Sequence, residues 1–238
     1  MDMDIEIKVL ASSSAGNAYI VSDGQNTLLI ECGIKFKDIQ RGLRFRASGL
    51  AGCLLSHEHN DHARAVKDVM RAGVDVYASE GTFETLGVKG HRAKVIKALK
   101  QFHIGSWIVL PFDTIHDASE PLGFLLASKV GGKVLYMTDS AYCKYRFKGL
   151  THIMVEANYS EEIIRQNAKN GIIQQTLKNR IIRNHMSIER LLDMLRANDL
   201  SQVREIWLLH LSDNNSDAER FKREIQELTG KEVYIAEG

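Results

Sequence analysis

The chain has 238 residues, 44% of them hydrophobic and 26% charged, with a formal net charge of +1. That balance excludes a disordered chain and leaves ample apolar material for a sizeable core. It also excludes a global field that would draw the chain to nucleic acid or a membrane, so any attraction to phosphates must be local.

The opening MDMDIEIKVLASSS has neither a basic n-region nor a long apolar run, and no stretch approaches the ~20 apolar residues of a membrane span. Cys32, Cys53 and Cys143 are scattered and form no CxxC pair. A reduced, cytoplasmic setting with no membrane association is therefore expected. In chain order, IEIKVL and NAYIVSDGQNTLLIECG read as strands, with Asp23–Gly24 as a hairpin turn. GCLLS reads as a short buried strand. DHARAVKDVMRAG reads as a helix closed by Gly73, and VDVYAS as another strand. WIVLPFDTIHD, LGFLLASKV and KVLYMTD follow as strands, the last two joined at Gly131–Gly132. HIMVEA is a strand leading to the helix SEEIIRQNAK. SIERLLDMLRA places Ile188, Leu191, Leu192 and Leu195 on one helical face. REIWLLHLS is a strand, and SDAERFKREIQELTG opens with a capping box from Ser216 to Glu219 and stops near Gly230. EVYIA is the final strand. Strands first, with helices interspersed later, predict two sheets with helices on their outer faces.

The chemistry gathers at LLSHEHNDH, where His57, His59, Asp61 and His62 follow an apolar strand in the spacing HxHxDH. Alternate side chains of an extended segment share a side, so His57 and His59 can face one metal ion. A turn into the helix lets Asp61 and His62 reach a second point nearby. Three further positions have polar residues at the tips of apolar strands: His116 with Asp117, Asp139, and His210. Together with the cluster they supply imidazole and carboxylate for two metal shells, a set that suits zinc, manganese or iron. His91, His103 and His152 lack ligand spacing and read as structural or surface residues, and Cys32 and Cys53 as core.

This order of motifs resembles the metallo-β-lactamase superfamily over nearly the whole chain. SSSAGN, VYASEGT, PFDTIHDASEPLGF, MTDS, VEANY, NHMSIERLLDML and LLHLSDNN are similar to its WalJ/YycJ-like branch, regarded as nucleases. His185-Met186-Ser187 also resembles the HxS/T motif of tRNA 3′-processing endonucleases. The resemblance implies a single α/β domain over 1–238, a four-layer αββα sandwich, with two divalent metal ions. His57, His59 and His116 would hold one ion, Asp61, His62 and His210 the other, and Asp139 both. Asp61 would orient or deprotonate the attacking water. His185, just before the Ser187 cap, would either protonate the leaving oxygen or simply cap the helix. Glu156 would orient His185 or pair with a basic residue. One position departs from the pattern: Ile30-Glu31-Cys32-Gly33 stands where the family usually has an IDxG context.

The function implied is a two-metal phosphodiesterase, a nuclease acting on DNA or RNA. The alternative is a phosphodiesterase for cyclic nucleotides or other small molecules. A thioesterase or lactonase of the glyoxalase II kind, and a metal-bound scaffold that binds without cutting, fit the residues less well. Basic runs at Arg41, Arg44 and Arg46, at Arg92, Lys94, Lys97 and Lys100, at Lys144, Arg146 and Lys148, and at Lys178, Arg180 and Arg183 could each hold phosphates; the last two flank Asp139 and His185. A homodimer is left open.

Overall fold

A computed structural model describes residues 5–237. Its contacts divide the chain into two compact units, the first formed by 5–113 and 118–133 with 237, the second by 114–117 and 134–236.

In the first unit, β1 (Glu6–Ser13) and β2 (Gly16–Ser22) pair antiparallel, and β2 pairs the same way with β3 (Thr27–Ile30). The β2–β3 turn falls at Asp23–Gly24 as expected, with Gly24 at φ 80°. From β3 onward the pairing becomes parallel, through β4 (Leu50–Leu54), β5 (Val76–Ala78) and β6 (Ala93–Val95). Parallel neighbours need crossovers, which are supplied here by α1 (Phe36–Gly42), by α2 (Asn60–Ala63) with α3 (Val66–Arg71), and by α4 (Glu80–Leu86). Leu29, Cys32, Ile39, Cys53, Leu55, Val69 and Val76 are fully or almost fully buried in one apolar cluster. A second set of strands, β7 (Phe102–Ile104), β8 (Trp107–Asp113) and β9 (Leu122–Ser128), forms an antiparallel ladder.

The single helix expected over DHARAVKDVMRAG is two. The N–H of Ala65 turns away to the carbonyl of Cys32 at 2.9 Å, which interrupts the helical ladder between α2 and α3. Gly73 closes α3 at φ 93°, a left-handed conformation that glycine adopts without strain.

The second unit is a parallel sheet in the order β10 (Lys133–Met137), β11 (His152–Glu156), β12 (Glu205–Leu209), β13 (Glu232–Ile235). Three helices link β11 to β12: α5 (Glu161–Lys169), α6 (Gln175–Asn184) and α7 (Ile188–Arg196). The stripe on α7 buries Ile188, Leu191 and Leu195 as expected, with Met194 rather than Leu192 completing it. The helix α8 (Ala218–Thr229) joins β12 to β13. Its cap is Asp217, which accepts from the N–H of Arg220 at 3.0 Å, and not Ser216, whose hydroxyl donates to Ser212 O at 2.6 Å. All three cysteines are buried and unbridged, and no helix among the described residues is long and apolar enough to cross a membrane.

Candidate metal centre

In the first unit the strand β4 delivers Leu55 and Ser56 to the histidine loop. His57 and His59 lie on one side of this loop, with His57 Nε2 3.1 Å from His59 Nδ1. Glu58 between them faces the other way, and its carboxylate accepts from the N–H of Ser119 at 2.7 Å. The chain then turns into α2, whose first bonds run from the N–H groups of His62 and Ala63 to His59 O. The turn brings the His62 ring to 4.2 Å from that of His57, and His62 Nε2 to 3.4 Å from Asp61 Oδ2. The four residues expected from the HxHxDH spacing therefore gather at one place in this unit.

The loop after β3 holds the histidine loop from behind. Glu31 is fully buried, and its carboxylate accepts from the N–H of Ser56 at 3.3 and 3.4 Å. Its Oε2 lies 3.5 Å from His62 Nδ1. A carboxylate behind one ring nitrogen fixes a histidine's tautomer and leaves the other nitrogen for a metal. At the departure from IDxG, Glu31 has its backbone in the left-handed region, φ 61°. Cys32 N donates to His62 O at 2.8 Å, and Gly33 N to Asn17 O at 2.8 Å. A Cβ on Gly33 would sit 1.6 Å from Asp61 O, so only glycine lets the two loops approach this closely. Ser56 Oγ lies 2.9 Å from His57 Nδ1, and Asn17 Nδ2 lies 3.2 Å from His62 Nε2 and donates to Asp61 O at 3.3 Å. Sequence reasoning gave Ser56 and Asn17 no role at this site. The only signal was their membership of the motifs LLSHEHNDH and SSSAGN.

The second unit gathers His116, Asp139, Glu156, His185 and His210. The sequence placed His116 and Asp117 on a strand; β8 stops at Asp113, and both lie in the segment beyond it. There the Nδ1–H of His116 donates to Asn184 O, the last residue of α6, at 3.1 Å. This leaves Nε2 directed at Asp139, 3.7 Å from Oδ2. Asp139 follows β10 and His210 follows β12, each in the left-handed region at φ 44° and 52°. Non-glycine residues there cost of order 1–3 kcal/mol each, a cost met where the surrounding structure fixes the position. The Nδ1 of His210 lies 2.8 Å from Asp139 Oδ1 and 3.0 Å from Glu156 Oε1. Asn158 Nδ2 donates to His210 O at 2.8 Å and fixes the backbone there.

Glu156, buried at the end of β11, is the hub of this unit. Its Oε1 is 2.6 Å from His185 Nδ1, and its Oε2 accepts from the N–H groups of Met186 at 3.0 Å and Ser140 at 3.3 Å. Burial alone would push the His185 pKa down, but the carboxylates of Glu156 and Asp139 win and raise it to about 10. His210 is likewise raised to about 9, against burial, by Asp139 and Glu156. Burial would raise Glu156, yet His185 beside it holds its carboxyl below the usual value. For His116 burial prevails and the pKa is lowered. Ser187 caps α7 by accepting from Arg190 N at 3.3 Å, while His185 ends α6, its N–H donating to Ile181 O at 2.9 Å and its ring turned to Glu156.

Asp139, Glu156, His185 and His210 each offer a ligand atom within 4.8 Å of the others. Imidazole nitrogens and carboxylate oxygens converging in buried surroundings fit divalent zinc, manganese or iron, so the donor set of each unit suits a metal. The remaining histidines carry no such arrangement: His91 and His103 are exposed, and His152 is buried with Nδ1 2.9 Å from Thr151 Oγ1.

A family model described as a β-lactamase superfamily domain matches residues 26–211. Exodeoxyribonuclease WalJ of Streptococcus pneumoniae serotype 2 is 27% identical over 230 aligned positions, with 90% of this chain and 84% of that protein covered. Among solved structures, the metallo-β-lactamase fold protein YhfI from Bacillus subtilis is similar with a TM-score of 0.72 at 16% identity, covering 98% of this chain and 97% of the other. Human tRNase Z, short form, is similar with a TM-score of 0.62 at 15% identity, covering 97% of this chain and 96% of the other. At such identities the structural likeness is one of fold: mixed α/β with two sheets, as the sequence implied.

Proposed function

Because the chain belongs to the metallo-β-lactamase superfamily, we propose that it is a metal-dependent phosphodiesterase that hydrolyses nucleic acid, DNA before RNA. The observation that carries this reading is the buried pairing of Glu156 with His185 beside Asp139 and His210. Such a histidine is of use where a poor leaving group must be protonated, as a sugar hydroxyl must. The relative from Streptococcus pneumoniae, named an exodeoxyribonuclease, supports DNA.

In this reading residues 1–238 are one domain; the family model running from 26 to 211 through both units supports it. His57, His59 and His116 would hold one divalent ion and Asp61, His62 and His210 a second, with Asp139 available to either. The chemistry such ions supply when bound is a water of lowered pKa and charge to stabilise the attacking and leaving oxygens. Asp61 would orient the attacking water or take its proton. Glu156 engages His185 through Nδ1, so Nε2 is the atom that hands a proton to the leaving oxygen.

The experiment is a screen of single-stranded DNA, double-stranded DNA, RNA and cyclic nucleotides, with metal-loaded wild type and Asp139→Ala side by side. Metal-dependent cleavage of a DNA strand that Asp139→Ala loses supports the reading. Turnover confined to cyclic nucleotides moves the protein to the small-molecule alternative, which the net charge of +1 fits no worse. An intact set of substrates refutes both.

A further inference from the structure

Between Glu162 and Glu189 the chain carries no acidic residue, while Arg165, Lys169, Lys178, Arg180 and Arg183 all fall within that span. The helix α6 lies in it and ends at the site of the second unit. On α6, Thr176, Asn179, Arg180 and Arg183 are exposed, at the spacing i, i+3, i+4, i+7. Residues three and four apart are neighbours on a helix surface, so these four side chains form one stripe. At 1.5 Å per residue it runs about 10 Å along the helix. Ile181 and Ile182, outside the stripe, are half-buried.

We propose that this stripe, with Arg183 and Arg180 as its charges, holds the sugar–phosphate backbone of a nucleic-acid strand beside the site, so that the substrate is a polymer bound without regard to base sequence. The proposal rests on the nuclease reading above and names the substrate class of that site.

The chemistry of the stripe selects its occupant. The Arg183 side chain has no hydrogen-bond or ion-pair partner among the described residues. Arg180 Nε lies 3.5 Å from Asp117 Oδ2, a pair whose side chains are 66% and 44% exposed. So exposed a pair is weak and screened by salt, and it leaves both Nη groups of Arg180 for another acceptor. Asn179 Oδ1 accepts from Gln175 Nε2 at 2.9 Å, which leaves the amide N–H groups of Asn179 as donors. Thr176 adds a hydroxyl. Positive charge and N–H donors, with no carboxylate on the helix itself, complement phosphate oxygens. No member of the stripe is aromatic, so no base stacks on it, and contacts to phosphate position a strand without reading its sequence. The chain's overall charge of +1 supplies no general attraction, so a local, acid-free segment is the feature able to engage a polyanion.

The stripe is also fixed to the site. Arg183 precedes Asn184, whose carbonyl accepts from His116 Nδ1 at 3.1 Å. Two residues on is His185, with its N–H on Ile181 O at 2.9 Å and its ring on Glu156 at 2.6 Å. Arg190 Nη1 reaches Ile182 O at 3.4 Å. A helix end held in this way binds a strand without first being ordered, which favours affinity. A dinucleoside monophosphate or a cyclic nucleotide has a single phosphate, which the site itself takes, and gains nothing from the stripe. A longer strand has a neighbouring phosphate to place at Arg183.

Arg183 stands in the last turn of α6, where any cation also offsets the helix dipole, so the readout is binding against salt and not stability. Metal-loaded wild type is compared with Arg183→Gln and with the double variant Arg180→Gln, Arg183→Gln on fluorescein-labelled phosphorothioate oligothymidylate and oligoadenylate, which keep their charges and resist hydrolysis. Each phosphate contact on a single strand contributes about 0.7 to the slope of log affinity against log salt, so the single variant should lose about 0.7 and the double variant about 1.4, alike for both sequences. The exchange Arg180→Lys, Arg183→Lys should keep the slope, and an equal charge loss outside α6, Lys89→Gln with Arg223→Gln, should leave it intact. The double variant should also lose the preference for a long strand over a dinucleoside monophosphate, read as the ratio of kcat/KM values. Equal slopes for wild type and double variant overturn the stripe, as does the same loss in the Lys89 and Arg223 control. A double variant that keeps the oligonucleotide slope but no longer binds phosphatidylserine vesicles assigns α6 to a lipid surface and overturns it too. Cleavage of unmodified oligothymidylate is scored separately: cutting with an unchanged salt slope sinks the stripe and leaves the nuclease reading standing. Protein that neither binds nor cuts any polymer, while still hydrolysing bis(p-nitrophenyl) phosphate, sinks both.

Discussion

Replacing Glu156 tests how the second unit is held together. Its carboxylate is the common acceptor for Ser140 N, Met186 N, His185 Nδ1 and His210 Nδ1, all within 3.3 Å. Glu156→Ala removes that acceptor at a position 1% exposed, where water has little access to the stranded donors. Each buried backbone N–H left without a partner costs about 1–3 kcal/mol, and breaking a buried charge pair from one side costs about 3–5 kcal/mol. These contributions overlap, so the whole is about 4 kcal/mol, a Tm lower by roughly 8–16 °C for a chain of this size. Glu156→Gln keeps one oxygen for the two backbone donors but turns an amide toward His185, and should lose about half as much. Urea unfolding of chelator-treated protein measures both, with m expected to stay constant because the same surface is exposed. An Ala variant within 1 kcal/mol of wild type, or a Gln variant no better than Ala, would refute the reasoning that this carboxylate organises the site.

Asp23 carries a second test. It is fully buried, and although burial would raise its pKa, hydrogen bonds from Ser106, Asn26, Ser128 and Gln25 lower it below 3.8. A depressed folded-state pKa means stability that is present above pH 3.8 and lost as pH falls through the lower folded value. Asp23→Asn should cost about 1–3 kcal/mol at pH 7 and flatten the acid limb of the stability–pH curve, which denaturant titrations from pH 2 to 7 will show. Gly33→Ala should force apart the loops that meet at Asp61, with a loss of about 2–3 kcal/mol and weaker metal retention; a variant matching wild type in Tm and metal content would contradict the close approach. His185→Ala should lower cleavage of DNA about 10²–10⁴-fold but spare a p-nitrophenyl phosphodiester, whose leaving group needs no proton. Equal losses on both substrates would make His185 a structural residue only.

Most strands were legible because apolar runs bounded by turn residues carry their own signal, but the three-residue β6 and β7 are too short to show one; the candidate ligand positions stood out because polar side chains stand immediately beyond such runs. The helix α7 was legible from its stripe. The helix α6 was not. Among its ten residues only Asn184 is buried, so no apolar period announces it, although its last carbonyl positions His116. The break between α2 and α3 was also hidden, because it arises from a hydrogen bond to Cys32, thirty-odd positions earlier. Ser216 offered a capping box, yet Asp217 one residue on makes the cap, since local patterns leave one-residue choices to tertiary contacts. Within the site the reading picked out the candidate ligand residues and overlooked Asn17, Ser56, Asn158 and Arg190, which hold the surrounding backbone and rings. Such residues are ordinary polar side chains in sequence, and only the folded neighbourhood distinguishes them. Glu31, which looked like a weakness in the pattern, is buried against Ser56 and His62.

Metal content per chain addresses the central claim most directly. Protein loaded with zinc or manganese and dialysed free of excess should retain two ions by elemental analysis, and Asp139→Ala should retain one or fewer. A wild-type chain that keeps at most one ion, or an Asp139→Ala chain that keeps two, would contradict the account.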